Sequence, residues 1–264
     1  MRLGFIGCGN MAKAIIQGIL AKGLVAPEDI LASNTTQAHV DATAAALGIQ
    51  ATTDNTRVAG ESDIVFLSVK PQQYESVIDQ VKDNLHERQI VVSIAPGKTL
   101  AWLSDKIARP VKLVRAMPNT PAVVGEGITT FCVGDLTTPE DTKIVKELLE
   151  SFGLAIELKE SLMDAASAVG GSTPAFAYMF IEALADGGVA EGLPREQARM
   201  IAAQAVLGSA KMVLESGKHP AQLKDEVCSP GGSTIAGVQE LERGAFDGTT
   251  MSAVQATVAK ARSL

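Results

Sequence analysis

The chain has 264 residues, of which 46% are hydrophobic and 20% are charged, and its formal net charge at pH 7 is −7. This length allows two domains that each bury a core, and the composition is typical of a soluble globular protein. The negative charge argues against nucleic acid or an anionic membrane as a partner, and no apolar run reaches the roughly 18 residues of a membrane-spanning helix.

The cysteines and histidines of the chain are Cys8, Cys132, Cys228, His39, His86 and His219. A small, odd number of cysteines does not suit a disulfide framework, and these side chains lack the spacing of a metal site. We therefore expect no metal and a reducing, cytoplasmic location. No signal peptide is expected, because residues 2–6 already have the pattern of a strand that runs into Gly7.

The first part of the chain alternates short apolar strands with helical segments. Strands are predicted at residues 3–6, 30–32, 64–69, 90–94, 111–114, 128–133 and 154–158. Nearly continuous apolar runs such as residues 64–69 are typical of parallel strands buried on both faces. Thr138 and Pro139 predict the capped start of a helix that ends before Gly153. The pattern indicates an α/β domain over residues 1–159.

From residue 160 to residue 264 the pattern is helical throughout, with breaks at glycine and proline. Gly170-Gly171-Ser172-Thr173-Pro174-Ala175 is predicted to break or kink one of these helices, because proline lacks the N–H that a helix interior needs. The alternative is that its small residues only let helices pack closely. Many residues here are small, which allows helices to pack closely. We expect an all-helical domain that buries a face of a partner subunit and so forms a homodimer.

A glycine-rich segment follows the first strand and opens the first helix. Gly7-Cys8-Gly9-Asn10-Met11-Ala12 has the form G-x-G-x-x-A. In this form the first glycine makes a tight turn, the second lets a pyrophosphate approach the backbone, and the small last residue allows close packing. The segment predicts a dinucleotide bound at residues 7–11, with an unliganded glycine turn as the alternative.

The end of the second strand bears on which dinucleotide is bound. A site for NAD usually places an acidic side chain there, on the ribose 2′-hydroxyl. Ser33-Asn34-Thr35 contains no carboxylate, and its short donors suit a 2′-phosphate. NADPH is therefore the expected cofactor, with NADH also accepted. The alternative is that Ser33–Thr36 cap the next helix, and both interpretations can hold at once.

Polar loops follow three further strands at the edge where ligands bind in such sheets. Ser68-Val69-Lys70-Pro71, Ala95-Pro96-Gly97 and the segment from Arg115 to Pro121 each follow a strand. We assign the first two loops, together with Asn55, to the expected cofactor site. Lys70 could instead be an ordinary solvated lysine.

Ser229-Pro230-Gly231-Gly232-Ser233-Thr234 combines a glycine turn with the start of a helix. The free N–H groups of a helix start attract anions, and glycines let a ligand approach the backbone. The segment has the chemistry of a carboxylate site beside a hydroxyl. The alternative is an ordinary glycine turn followed by a capped helix.

Taken together, these residues resemble the pyrroline-5-carboxylate reductase family. The motifs that carry the resemblance are Phe5-Ile6-Gly7-Cys8-Gly9-Asn10-Met11, Val69-Lys70-Pro71-Gln72, Met117-Pro118-Asn119-Thr120-Pro121, Glu182-Ala183-Leu184-Ala185-Asp186-Gly187-Gly188 and Ser229-Pro230-Gly231-Gly232-Ser233-Thr234-Ile235-Ala236-Gly237. The chain departs from the family pattern at Cys8, at residues 170–174, and at residues 33–35, which lack the basic residue that some members carry.

The resemblance implies a Rossmann-like domain followed by an all-α substrate and dimerisation domain. It implies reduction of (S)-1-pyrroline-5-carboxylate to L-proline by hydride transfer from NAD(P)H, the last step of proline biosynthesis. It also implies a homodimer that can assemble into a larger ring such as a decamer. Thr234 would be the catalytic hydroxyl. The substrate-binding residues would be Glu160, Ser229, Gly231, Gly232, Ser233 and Thr234.

Two rival functions share parts of this pattern. One is another two-domain NADP reductase, such as a 3-hydroxyacid dehydrogenase, for which Lys211 would have to serve as the catalytic lysine. The other is a regulatory protein that only senses the cofactor. Nothing in the sequence around Lys211 indicates a catalytic base, which disfavours the first rival. The segment 229–234 suits a substrate carboxylate, which argues against the second.

Overall fold

The computed structural model describes residues 1–262. Its internal contacts divide the chain into two compact units. The first unit consists of Met1–Ser172 together with residues 257–262, and the second is Thr173–Ala256. Within residues 1–262, no helix is long and apolar enough to cross a membrane.

The described part of the first unit contains one sheet of eight strands. These are β1 (Leu3–Ile6), β2 (Ile30–Ser33), β3 (Gln50–Thr52), β4 (Ile64–Leu67), β5 (Ile90–Ser93), β6 (Lys112–Pro118), β7 (Gly127–Val133) and β8 (Gly153–Glu157). The strand order is β3-β2-β1-β4-β5-β6-β7-β8. Strands β1 to β6 are parallel, β7 is antiparallel to β6, and β8 is parallel to β7. The first six have the order of a Rossmann fold, so the predicted α/β class is confirmed.

Helices cover both faces of this sheet. They are α1 (Asn10–Ala21), α2 (Gln37–Leu47), α3 (Asn55–Glu61), α4 (Tyr74–Val81), α5 (Leu100–Ile107) and α6 (Pro139–Leu149). Short 3₁₀ turns lie at Pro27–Asp29, Pro71–Gln73, Lys82–Asn84, Thr120–Val124, Glu150–Phe152 and Glu160–Leu162. Because both faces are covered, every residue of β1, β2, β4 and β5 is buried, as their apolar sequences predict.

Two strand features were not anticipated from the sequence. β3 is a short strand of only three residues at the sheet edge, and it lacks the apolar run that marks the central strands. β6 continues through Met117 to Pro118, because it pairs with the antiparallel β7 as far as the register Pro118↔Thr129. The segment expected as a third loop at Arg115–Pro121 is therefore strand in its first half.

Helix α7 (Met163–Ala190) runs from the first unit into the second and contains Pro174 in its interior. The predicted break at residues 170–175 is therefore wrong. Pro174 has no N–H to donate to the carbonyl of Gly170, four residues earlier. The side-chain Nδ2 of Asn119 donates to that carbonyl instead, at 2.9 Å.

The described residues of the second unit form helices only. Besides the rest of α7, these are α8 (Arg195–Ser216), α9 (Pro220–Val227), α10 (Ser233–Arg243) and most of α11 (Phe246–Ala261). The buried hydrophobic residues among them are just Ala185, Ala198 and Ala202. Its large exposed apolar side chains include Tyr178, Met179, Leu184, Met200, Ile201, Leu207, Met212, Leu214, Val227, Leu241, Phe246 and Met251. Taken alone, this unit buries very little apolar surface.

Candidate active site

The glycine loop between β1 and α1 leaves its backbone accessible. Gly7 has a φ of +88°, and a Cβ atom on it would lie 2.6 Å from Cγ1 of Val69, so other residues do not fit there. Gly9 is the N-cap of α1 without a side-chain cap, and a Cβ atom on it would have no described atom within 4 Å. The first N–H groups of α1 therefore border open space, which suits a pyrophosphate.

A groove of about 700 Å³ extends from this loop. The predicted residues that line it are Gly7, Cys8, Gly9, Ser33, Asn34, Thr35, Asn55, Ser68, Val69 and Lys70. It is also lined by Lys13, His39, Thr53, Gln73 and Val77, which the sequence analysis missed. Lys13 lies one helical turn after Gly9, so the spacing along α1 was the signal that could have found it.

The remaining predicted cofactor residues lie beside this groove or on the next strand. Asn10 and Met11 are the first two residues of α1, and Pro71 begins the 3₁₀ turn after Lys70. Ala95-Pro96-Gly97 follows β5, with Ala95 buried and the other two residues exposed. The parallel sheet thus places the loops assigned to the cofactor at the carboxyl ends of β1, β2, β4 and β5.

Ser33 has a different position from the one its sequence context suggests. It is 1% exposed, its hydroxyl donates to Oδ1 of Asn55 at 2.6 Å, and it accepts the N–H of Gly7 at 3.3 Å. Ser33 therefore supports the glycine loop through these hydrogen bonds, while the exposed Thr35 lines the groove. The predicted capping role of Ser33–Thr36 is confirmed at Thr36, the N-cap of α2, whose hydroxyl accepts the N–H of His39 at 3.3 Å.

Ser68 joins the second loop to the glycine loop. Its hydroxyl donates to the carbonyl of Gly7 at 2.6 Å, and its N–H donates to the carbonyl of Ile6 at 2.9 Å. Lys70 is exposed and forms no ion pair with the described residues, so its ammonium group is available to an anionic ligand.

Cys8 lines the groove but is suited to packing rather than to covalent chemistry. Burial raises the pKa of the Cys8 thiol, an effect that hydrogen bonding from Thr43 and the charge of Lys13 only partly offset. A neutral thiol is a poor nucleophile.

The segment 229–234 forms an open helix start in the second unit. Gly231 has a φ of +68°, and a Cβ atom on Gly232 would lie 2.4 Å from Oγ of Ser229. Gly232 is the N-cap of α10 and, within the described residues, no side chain caps this helix. Ser233 and Thr234 are exposed. Gly231 and Gly232 border a hollow of about 630 Å³ that Ser229, Ser233 and Thr234 do not line.

Full-length relatives place this chain among known proteins. It is 44% identical over 263 residues to the pyrroline-5-carboxylate reductase of Escherichia coli, and the matched region covers 100% of this chain and 98% of that protein. The chain belongs to the pyrroline-5-carboxylate reductase family. The Methanosarcina acetivorans reductase is also 44% identical, over 253 residues, covering 96% of this chain and 94% of that one.

Family and structural comparisons agree with this membership. Residues 160–264 match the family described as pyrroline-5-carboxylate reductase dimerisation, and residues 2–97 match NADP oxidoreductase coenzyme F420-dependent. The crystal structure of Plasmodium falciparum pyrroline carboxylate reductase with NADP bound has a TM-score of 0.90 at 34% identity, covering 100% of this chain and 97% of that one. A reductase from Coxiella burnetii has a TM-score of 0.93 at 32% identity, with 99% and 97% covered. The resemblance seen in the motifs is confirmed.

In this pyrroline-5-carboxylate reductase family member, Glu160 has contacts that the sequence did not reveal. Its Oε1 accepts the N–H of Leu100, the first residue of α5, at 2.7 Å. The same oxygen pairs with the buried Arg115 at 3.4 Å, and Arg115 also pairs with Asp164 at 3.0 Å. The Glu160 carboxylate thus joins the start of α5 to the residues that precede α7. Arg115 could not be linked to Glu160 from the sequence, because the two residues lie 45 positions apart along the chain.

Lys211, the lysine that a 3-hydroxyacid dehydrogenase would require, shows no sign of a catalytic role. It is exposed and pairs with Glu215, one turn further along α8, at 3.5 Å. Such a pair is an ordinary feature of a helix surface.

Proposed function

We propose that this protein reduces (S)-1-pyrroline-5-carboxylate to L-proline with a hydride from NADPH, and that it also accepts NADH. The observation that carries the proposal is the full-length similarity to pyrroline-5-carboxylate reductases at 44% identity. The reaction is the last step of proline biosynthesis. The three unpaired cysteines of the described chain suit the reducing cytoplasm in which we expect it to act.

The residues of the first unit fit a dinucleotide. NADPH, when bound, supplies the hydride. We propose that the pyrophosphate lies on the N–H groups of residues 7–11, where the open space at Gly9 supports close approach. Ser68-Val69-Lys70-Pro71 and Ala95-Pro96-Gly97 would hold the rest of the molecule. Preference for NADPH is supported by the absence of a carboxylate at residues 33–35 and by the exposure of Thr35.

The start of α10 is proposed to hold the substrate carboxylate. The N–H of Gly232 already donates to the carbonyl of Ser229 at 3.0 Å. The free donors are therefore those of the first turn, at Ser233 and Thr234, where the positive end of the helix dipole adds to the attraction. Ser229, Gly231 and Gly232 would shape the turn. By the family resemblance, Glu160 is proposed to help form the substrate pocket.

The Thr234 hydroxyl is proposed to donate to, or orient, the ring nitrogen. A hydride that reaches the carbon of the C=N bond leaves electron density on nitrogen, which a proton must neutralise. A cyclic imine is basic enough to arrive partly protonated, so a hydroxyl suffices and no strong protein acid is needed. The protein contributes by aligning the reactants and excluding water.

We propose a homodimer as the smallest active form, and a ring of dimers such as a decamer as the larger assembly. The support is the second unit, in which exposed apolar side chains far outnumber the three buried ones. In functional terms we divide the chain at residues 1–159 and 160–264. This differs from the compact units, which assign residues 160–172 to the sheet-containing unit.

The experiment that tests the function is a cofactor-oxidation assay with the purified protein. Reduced nicotinamide absorbance should fall only when pyrroline-5-carboxylate is present, and L-proline should accumulate in equal amount. NADPH should give the larger kcat/KM. A protein that binds NADPH but reduces neither this imine nor any other would contradict the proposal and favour a cofactor sensor. Oxidation of a 3-hydroxy acid would favour the rival dehydrogenase.

A further inference from the structure

Tyr74 is a buried titratable residue that the proposed mechanism does not use. It is the first residue of α4 and follows the Ser68–Pro71 loop after the turn Pro71–Gln73. Its side chain is 1% exposed and belongs to the core on the α3, α4 and α5 face of the sheet. A buried phenol needs hydrogen-bond partners, and the identity of those partners is informative.

The Tyr74 hydroxyl lies where the ladder between β4 and β5 ends. It donates to the carbonyl of Leu67, the last residue of β4. It accepts the N–H of Ile94, the first residue after β5, at 3.2 Å, and the hydroxyl of Ser93 at 3.2 Å. Burial raises the pKa of Tyr74 to about 12, so the phenol keeps the proton that it donates at neutral pH.

The direct bond at this point of the ladder is long. The N–H of Ile94 lies 3.4 Å from the carbonyl oxygen of Leu67, whereas the phenol oxygen contacts both groups. The hydroxyl therefore bridges the two strands at the position where they separate into the Ser68–Pro71 and Ala95–Gly97 loops. The Tyr74 side chain is 1% exposed and Leu67 is 2% exposed, so bulk water has little access to the phenol oxygen.

This bridge completes a series of hydrogen bonds along the carboxyl edge of the sheet. Ser68 joins the second loop to Gly7, and Ser33 joins Gly7 to Asn55. Tyr74 extends the series from β4 to β5. In a Rossmann fold the dinucleotide lies across these strand ends, with the adenosine ribose on the β2 side. The nicotinamide half then lies towards β4 and β5.

We propose that Tyr74 is a positioning residue for hydride transfer, whose hydroxyl fixes the spacing of the two loops that hold the nicotinamide half of the cofactor. This inference rests on the proposed function. Tyr74 acts through Leu67 and Ile94 and has no contact of its own with the reacting atoms. Its loss should slow the chemical step while leaving the adenosine half of the site intact.

The expected size follows from the geometry of hydride transfer. Tyr74→Phe keeps the ring in the core and removes only the hydroxyl. The Leu67 carbonyl and the Ile94 N–H must then either rely on their long direct hydrogen bond or remain unpaired. A misplacement of about 1 Å can cost about 10²-fold in rate, so the smaller shift allowed here should lower kcat by about tenfold.

The test compares Tyr74→Phe with the matched control Ser93→Ala, which removes a neighbouring buried hydroxyl but leaves the bridge between the strands. kcat is measured per cofactor site, with sites counted by titration with 2′-phospho-ADP-ribose, so partly folded preparations do not confuse the result. The isotope effect on kcat/KM is measured with NADPH deuterated at the transferred position. We expect Tyr74→Phe to lower kcat about tenfold, to increase the isotope effect, and to bind 2′-phospho-ADP-ribose within about twofold of wild type. Ser93→Ala should keep kcat within about twofold.

Two results would overturn the inference. One is a per-site kcat and isotope effect for Tyr74→Phe that match those of Ser93→Ala, which would indicate a role in stability alone. The other is a loss of 2′-phospho-ADP-ribose affinity in Tyr74→Phe as large as its loss of kcat, which would indicate damage to the whole groove. Failure of the proposed function looks different, because the wild-type protein itself would then not oxidise NADPH with pyrroline-5-carboxylate.

Discussion

Asn119 replaces a hydrogen bond that Pro174 removes from α7, and this dependence can be measured. The Asn119 Nδ2 donates to the Gly170 carbonyl at 2.9 Å, and its Oδ1 accepts the N–H of Ile128 at 2.9 Å. The side chain is only 7% exposed, so water cannot easily take its place. Asn119→Leu, which keeps the number and branching of the side-chain heavy atoms, should leave both backbone groups without a partner.

The magnitude follows from the two bonds. A buried backbone group that loses its partner costs about 1–3 kcal/mol. We expect Asn119→Leu to lower the free energy of unfolding by about 3–4 kcal/mol in total. In a Pro174→Ala background, the substituted alanine would supply an N–H to the Gly170 carbonyl within the helix, and Asn119→Leu should then cost about 1–2 kcal/mol less.

The assay is denaturant unfolding of the four proteins of this double-mutant cycle at one fixed chain concentration, because association contributes to stability. Hydrogen exchange of the amides around residues 170–174 would report the same effect locally. The reasoning is refuted if Asn119→Leu costs the same in both backgrounds, because the Gly170 carbonyl would then not depend on Asn119.

Three further predictions concern the cofactor site, the substrate site and acid stability. Thr234→Ala should lower kcat by up to about 10²-fold with little change in the KM for NADPH, and Thr234→Ser should retain most activity. Steady-state kinetics that show wild-type turnover for the alanine variant would exclude the assigned role. Thr35→Asp should raise the KM for NADPH more than that for NADH, since a carboxylate would face the 2′-phosphate, and equal effects on both cofactors would contradict this. Burial alone would raise the pKa of Asp141, but hydrogen bonds from Lys112 and Thr138 lower it overall. The stabilisation by Asp141 is therefore present above the ordinary carboxyl pKa and is lost as pH falls through the lower folded-state pKa. Asp141→Asn should flatten the acid limb of a plot of stability against pH, and an unchanged limb would show that other carboxyl groups determine it.

The parts of the fold that were predictable are those set by neighbouring residues. The apolar run of β4 and the glycines after β1 specify a buried parallel strand and a tight turn from local chemistry alone. The direction of β7 was not predictable in this way, because its sequence suits either a parallel or an antiparallel neighbour. The chain path through the turn at Thr120–Val124 decides it.

The site was predictable as a set of loops, and less so as a set of side-chain roles. Ser33 lines the groove as expected, but the sequence did not reveal that its hydroxyl also accepts the N–H of Gly7 and donates to Asn55. The continuity of α7 through Pro174 depends on Asn119, whose partner Gly170 lies 51 residues further along the chain. Such contacts are determined by tertiary packing, which residue patterns do not encode over that distance.

The sparse interior of the second unit has a consequence for how the protein reaches its native state. The buried hydrophobic residues of this helical unit are three alanines, so in the proposed homodimer it would gain little free energy until a second copy covers its apolar faces. Its refolding should therefore contain a step whose rate rises with chain concentration, while the sheet-containing unit refolds at a rate independent of it. In a newly made chain, the sheet-containing unit would then be folded before the helical unit is stabilised by a second copy. Chain concentration would affect the balance between correct dimerisation and aggregation.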